Sequence, residues 1–354
     1  MSKKLSADTE GQAEPFAVKV PTRPPHLAFI VYFRAIGILL IVAGHSYALG
    51  GIRLGSGFDN TLSNLIKGAT ALFVFMSGFV FDYVFSARYG YRSFVLDRAK
   101  KLLIPYSLLT AGFVFSNWTP AVQSAEQLFR YFAIGDAFQA YWYIPFIMLM
   151  FAFSPLHRLF MDLRTSQQIA IIVGAAIVSG LVQRPVSNDN ALQSVIFFMP
   201  VYLSGIFLSL HRKTLLPALQ KRWPTLLLTA VLLAIVQSAR GQSDNMHKPF
   251  FAFGGFDLMV FQKLVLALAL AGLFAKLPSP PSRVVSVVAD TSFAIFFLHP
   301  FVLKIIGDTA VFQLTHIPWI DLSIAVSAIV TLCALIALTL RIVLKAESKY
   351  ITGY

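Results

Sequence analysis

The sequence predicts an all-α protein, a polytopic transmembrane bundle of about ten helices. Apolar residues make up 57% of the 354 residues and charged residues only 13%, whereas about a quarter of an ordinary soluble domain is charged. The apolar residues also fall in long blocks, most of them close to the ~20 residues that a helix needs to cross a bilayer. The predicted spans are 27–50, 61–85, 102–118, 140–160, 168–183, 191–210, 223–239, 256–275, 285–306 and 319–344.

The polar stretches between these blocks are too short for a separate soluble domain. We expect residues 1–26, which are polar and contain prolines, to form a disordered cytoplasmic tail. The span that follows is too long and too poorly flanked to be a cleavable signal peptide. Residues 27–346 then form the transmembrane domain, and residues 347–354 form a second, short cytoplasmic tail.

The net charge of +13 comes from basic residues that alternate between loops. By the positive-inside rule, this alternation places both termini in the cytoplasm, and we expect a multi-pass membrane protein. A nucleic-acid partner is not expected, because such proteins gather their cations on one face or in one tract. The loops on the opposite side contain only five basic residues, namely Arg53, Arg130, Arg184, Arg240 and Lys248.

The first predicted span contains two ionisable residues, Arg34 and His45, which are costly in a bilayer and are therefore candidates for function. Their separation of eleven positions puts them about 20° apart around a helix and roughly 16 Å apart along it. Both should then face one internal cleft, with Arg34 nearer the cytoplasm. His45 is the predicted catalytic residue, because imidazole can act as a general base near neutral pH. The alternative is that Arg34 snorkels to the headgroups while His45 caps the helix or bonds a neighbouring carbonyl.

Arg98 and Lys101 belong to the densest basic stretch, residues 86–101, which leads directly into the third predicted span. Their spacing of three places both on one face of a helix, where they could bind the phosphates of a donor substrate. The alternative for this basic stretch is anchoring to anionic lipid, at ~1 kcal/mol per basic residue.

His299 precedes Pro300 in the ninth predicted span. The proline leaves the carbonyl of Phe296 without its helical partner, so that an imidazole and a free carbonyl lie together, as in a site or a gap between helices. His299 is therefore a further candidate site residue. The alternative is a histidine satisfied by a neighbouring helix at a structural kink.

Three other features receive a structural interpretation. Ser77 and Gly78 form a small pair that permits close contact between helices. Trp142 and Tyr143 lie near the end of a span, where aromatic belts are expected. The one cysteine, Cys333, leaves neither a disulfide framework nor a cysteine metal cluster available, and no metal site is predicted.

Five segments in order along the chain resemble the acyltransferase 3 family, bacterial integral-membrane O-acyltransferases that act on surface polysaccharides. Each segment alone is a weak signal, because apolar spans are repetitive, but the ordered set is fairly specific. The chain departs from the family where two arginines are usual, because Lys101 keeps the charge but loses the bidentate fork of arginine. The segments are FRAIGILLIVAGHS, FVFMSGFVF, RAKKLLIPY, YWYIP and SFAIFFLHP.

The resemblance implies transfer of an acyl group, expected to be acetyl, from cytoplasmic acyl-CoA to a hydroxyl of an exported glycan or lipid-linked sugar. It also implies a bacterial inner membrane and a catalytic role for His45. Arg34 would be a donor-site or structural partner, and Arg98 and Lys101 would contact the phosphates of the CoA. Acyl-CoA would be a donor substrate, and no permanently bound cofactor is expected. The other expected partners are the acceptor, the lipid bilayer and a polysaccharide biosynthesis complex.

Two other functions fit a helix bundle with charged interior residues. One is a transporter or flippase for a lipid-linked glycan, although the two related halves that are common in transporters are not visible in the sequence. The other is a non-catalytic assembly subunit of a polysaccharide machine, in which replacing His45 by alanine would be harmless.

Overall fold

The computed structural model describes residues 27–49, 56–117, 124–306, 314–315 and 317–348, and within these ranges the chain forms helices and no β-strand longer than an isolated bridge. The predicted all-α class is confirmed. The predicted tail 1–26 and most of the tail 347–354 lie outside the described residues.

The helices are numbered in chain order, and several continue into short π or 3-10 turns. Such turns follow α3 at Phe81–Phe85 and Ser86–Arg88, and α5 at Arg130–Ile134. The α-helices are α1 Ala28–Leu49, α2 Ser56–Ile66, α3 Thr70–Val80, α4 Tyr91–Ser116, α5 Ala125–Phe129, α6 Tyr143–Ala152, α7 Ser154–Met161, α8 Thr165–Val182, α9 Ala191–Leu210, α10 Arg212–Ala239, α11 Met259–Phe274, α12 Arg283–Ile306 and α13 Pro318–Leu344.

All ten predicted spans fall on these helices, but fewer are long and apolar enough to cross a bilayer. Seven helical segments among the described residues meet that requirement, and an eighth is the pair of α6 and α7, which is bent by 54°. The two predicted spans that do not meet it are 102–118, in α4, and 256–275, in α11. The first half of α4 carries charged residues, and α11 has only 16 residues. The structure therefore shows seven or eight candidate spans, and ten remains a prediction.

The helix α9 is largely buried and packs against α3 and α8, whereas α1 packs against α12 and α13. Two glycines make the contact between α3 and α9 possible. A Cβ on Gly78 would lie 2.0 Å from the carbonyl oxygen of Tyr202, and one on Gly205 would lie 1.9 Å from that of Phe75. The interpretation of Ser77 and Gly78 as a packing pair is therefore confirmed at Gly78.

Two connecting segments meet at the end of the bundle where α1 has its C-terminus. They are residues 183–190, between α8 and α9, and residues 240–258, between α10 and α11. The backbone N–H of Arg184 donates to the carbonyl of Met246, and the N–H of Lys248 donates to the carbonyl of Arg184, both at 3.0 Å. This pair of bonds fixes the two segments to one another.

Candidate functional site

The C-terminal part of α1 faces a polar cavity of about 140 Å³, here called the His45 cavity. The imidazole Nδ1 of His45 lies 3.4 Å from Oε1 of Gln139, a long contact. An amide oxygen only accepts hydrogen bonds, so in the tautomer with the proton on Nδ1, His45 donates to Gln139 and Nε2 is the proton acceptor. The other polar residues of the wall include Lys67, Arg184, Asn188, Asp244, Asn245 and His247.

His299 lies directly beside His45. Their ring centroids are 5.2 Å apart, and the side chain of His299 is fully buried. Its Nδ1 donates to the carbonyl of Ile295 at 3.0 Å, while its Nε2 has no hydrogen-bond partner among the described residues. The fold thus brings together the histidines of the first and ninth predicted spans. The hydrogen-bond partner of His299 lies within α12 and not on a neighbouring helix.

The N-terminal part of α1 faces a second cavity of about 360 Å³, here called the Arg34 cavity. Arg34, Arg98 and Lys101 all line it. Arg34 donates a hydrogen bond to the hydroxyl of Ser292 on α12 at 3.2 Å, so its guanidinium points into the bundle rather than to the headgroups. The structure therefore brings the three candidate donor-binding residues to one cavity, at the opposite end of α1 from His45.

Asp97, which the sequence analysis did not single out, binds both candidate donor-binding residues of α4, Arg98 and Lys101. Its carboxylate accepts a hydrogen bond from Arg98 and lies 3.0 Å from Nζ of Lys101. The guanidinium of Arg98 also lies 4.5 Å from the centre of the Phe85 ring. The predicted common face of Arg98 and Lys101 is thus present, but a carboxylate partly neutralises it. An incoming phosphate would compete with Asp97 for both cations.

The prediction that Arg34 and His45 share one cleft is wrong. The two residues lie on one strip of α1, but they line separate cavities. Ile41 lies between them on the same strip and lines both cavities, so it forms part of the wall between them. At the start of α6 the neighbours Trp142 and Tyr143 divide in the same way, with Trp142 in the His45 cavity and Tyr143 in the Arg34 cavity.

The expectation that Trp142 and Tyr143 form an aromatic belt is also wrong, because their side chains are only 8% and 7% exposed. The face of Trp142 is covered by the guanidinium of Arg184, which lies 4.1 Å from the ring centre. Both aromatic residues are therefore interior residues at the junction of the two cavities.

Arg184 and Gln139 are functional candidates that sequence reasoning missed. The signal for Arg184 was its position in a loop of the side where basic residues are rare. Burial lowers the pKa of Arg184 to about 10, although the nearby Asp244 and Asp257 raise it, so the guanidinium is charged at neutral pH. Asp244 itself is paired with Lys67, at 3.7 Å between Oδ2 and Nζ. Among the described residues no three histidine, cysteine, aspartate or glutamate side chains come together.

These helices and their buried ionisable residues define a multi-pass membrane protein. The chain belongs to the acyltransferase 3 family, because the family model, an acyltransferase domain, matches residues 27–339. The protein is therefore a membrane acyltransferase, and the matched range contains both cavities. No curated protein and no solved structure matches the chain.

Proposed function

We propose that the protein transfers an acyl group, acetyl by preference, from cytoplasmic acyl-CoA to a hydroxyl of an exported glycan or lipid-linked sugar in a bacterial inner membrane. The proposal is supported above all by the position of Arg34, Arg98 and Lys101 on one cavity, at the other end of α1 from His45. Cations grouped in this way suit the phosphates of a CoA. The acceptor then binds at the His45 cavity, on the external side.

In this mechanism His45 is the general base. Its Nε2 takes the proton from the acceptor hydroxyl while the hydroxyl oxygen attacks the carbonyl carbon of the thioester. The carbon–sulfur bond then breaks, and the CoA sulfur leaves as a thiolate that takes up a proton. Gln139 holds the protonated Nδ1 and so keeps Nε2 directed at the acceptor. The thioester reaches His45 by displacing the side chain of Ile41, which lies between the two cavities.

Mass analysis of surface glycans tests the proposal in host cells that carry the wild type, His45→Ala or His211→Ala. His211 is the matched control, because its imidazole lies between α9 and α10, binds Gln168 at 3.0 Å and lines neither cavity. We expect the mass increment of an acetyl group with the wild type and the control, and its loss with His45→Ala. If the acetyl increment is unchanged with His45→Ala, the proposed enzymatic role is contradicted, and a flippase or an assembly subunit is favoured.

Purified protein tests the donor. Release of free CoA thiol in the presence of a glycan acceptor is compared for acetyl-CoA and succinyl-CoA. We expect the wild type to release thiol faster from acetyl-CoA than from succinyl-CoA. His45→Ala should release thiol only at the rate seen without enzyme. Faster release from succinyl-CoA contradicts the assignment of acetyl but leaves the acyltransfer proposal in place.

A further inference from the structure

Arg184 is a buried cation that the fold holds in one position. Its exposure is only 7%, its backbone N–H and carbonyl are both bonded to the segment 240–258, and its guanidinium lies on the face of Trp142. The side chain lines the His45 cavity. The backbone bonds and the aromatic contact therefore hold the guanidinium in one place at the wall of this cavity.

In the described part of the chain no carboxylate lies within ion-pair distance of the guanidinium, although Asp244 and Asp257 are near enough to favour its charge. One terminal nitrogen donates to the side-chain oxygen of Asn188, and the buried Nε has no hydrogen-bond partner there. Asp244, the carboxylate of the same cavity, is already paired with Lys67 and accepts two hydrogen bonds from Asn245, at 2.7 and 3.0 Å. A buried charge without a direct ion pair is costly, and an anionic ligand would lower that cost.

The space beside Arg184 continues beyond the His45 cavity. A neighbouring cavity of about 360 Å³ shares Gln139, Trp142 and Asn188 with it. At this border Ser187 and Asn188 have φ of 56° and 58°, a strained conformation for residues other than glycine that is typical of functional sites. A ligand with its hydroxyl at His45 can therefore extend past Arg184 into the second space.

We propose that the acceptor carries a negative charge, a carboxylate or a phosphate, close to the hydroxyl that is acylated, and that Arg184 binds this group. The inference rests on the proposed function, because it takes the His45 cavity as the acceptor site. An arginine fork binds either anion through two parallel hydrogen bonds, and Trp142 keeps the fork in place. The binding selects an anionic sugar over a neutral sugar of the same shape.

Three glycosides with one ring that differ only at carbon 6 test this selection. They are methyl β-glucoside, which is neutral, its 6-phosphate, and methyl β-glucuronide, which carries a carboxylate. Equilibrium dialysis against purified protein gives the Kd of each without any acyl donor. We expect one of the two anions to bind about tenfold or more tightly than the neutral glycoside, and the better anion identifies the charged group of the acceptor.

Arg184→Gln should remove this preference and leave the Kd of the neutral glycoside unchanged. Arg240→Gln is the matched control, because it deletes the same charge from the exposed end of α10, outside the cavities. Equal affinity for the three glycosides, binding of none of them, or a preference that persists in Arg184→Gln overturns the inference. If Arg184→Gln does not fold, Arg184→Lys replaces it. This variant loses the fork, so its preference should fall at least threefold, and an unchanged preference overturns the inference.

Failure of this inference and failure of the proposed function give different results. His45→Ala should keep the preference for the anionic over the neutral glycoside, yet transfer no acetyl group from acetyl-CoA. Binding with anion selectivity but no transfer by the wild type would remove the acyltransfer mechanism and keep the anion site. If the wild type binds neutral and anionic glycosides with equal affinity and acetylates both, the acyltransfer mechanism is kept and the anion site is removed.

Discussion

The imidazole rings of His45 and His299 lie 5.2 Å apart across the contact between α1 and α12. The two Nδ1 atoms are directed to Gln139 and to the carbonyl of Ile295. Of the pair, only His45 lines the polar cavity. We therefore interpret His299 as a positioning residue, whose ring fixes the orientation of His45 from the side away from the acceptor.

The contribution of His299 can be separated from that of His45 by kinetics. His299→Ala should lower kcat about 10- to 100-fold, because a small displacement of a catalytic group is costly. The KM for acetyl-CoA should not change, since His299 does not line the Arg34 cavity. His299→Phe, which keeps the ring contact, should restore most of kcat. An equal loss in His299→Phe would instead show that a nitrogen of His299 takes part in proton transfer.

Ile41 should act as a barrier between water at the His45 cavity and the thioester at the Arg34 cavity. Ile41→Ala shortens the shared wall, so hydrolysis of acetyl-CoA without any acceptor should rise several-fold. Release of free thiol measures this rate. Ile36→Ala makes the same change on another face of α1, outside both cavities, and should have no effect. An unchanged hydrolysis rate in Ile41→Ala would mean that other residues form the barrier.

Asp97 should compete with the donor for Arg98 and Lys101. Partly exposed ion pairs contribute ~0.2–1 kcal/mol each, so Asp97→Asn should lower the KM for acetyl-CoA about 2- to 5-fold. Asp162→Asn, at the exposed end of α7, is the control and should leave KM unchanged. A higher KM in Asp97→Asn would show that the carboxylate holds the cations in their binding positions rather than competing for them.

Gly78 should be essential for the assembly of α3 on α9. In Gly78→Ala the new methyl carbon would lie 2.0 Å from a backbone oxygen of α9, and overpacking of this kind costs about 1–3 kcal/mol or more. We expect a lower midpoint of thermal unfolding in detergent and a loss of monodisperse protein on size exclusion. Gly174→Ala is the matched control on α8, because a methyl group there meets no atom within 4 Å. Equal stability of the two variants would contradict the close contact.

The strip on α1 and the common face of Arg98 and Lys101 were predictable, because both follow from the helical period. Ile41 was not predictable as a dividing residue, since an apolar residue within a span looks the same whether it faces lipid, a core or a cavity. Likewise, an aromatic residue near the end of a span has the same pattern in a belt and in the interior, so the burial of Trp142 needed the tertiary structure.

The partners of charged residues were also hidden from the sequence. Asp97 adjoins Arg98 in the chain, yet only the helix geometry shows that it binds Lys101 as well. Arg184 meets Trp142 through a contact between distant segments, and its support comes from the segment 240–258. The number of spans was overestimated because apolar blocks alone do not show how far each helix extends or where charged turns begin.

The walls of the two cavities have different origins in the chain. The Arg34 cavity is lined entirely by helical residues, whereas much of the His45 cavity is lined by segments that connect helices. Connecting segments tolerate exchange better than packed helices do. With the acceptor at the His45 cavity and the donor at the Arg34 cavity, as we propose, sugar preference would diverge among descendants of one ancestral enzyme by remodelling of loops. The helices around the donor would keep their packing and their chemistry.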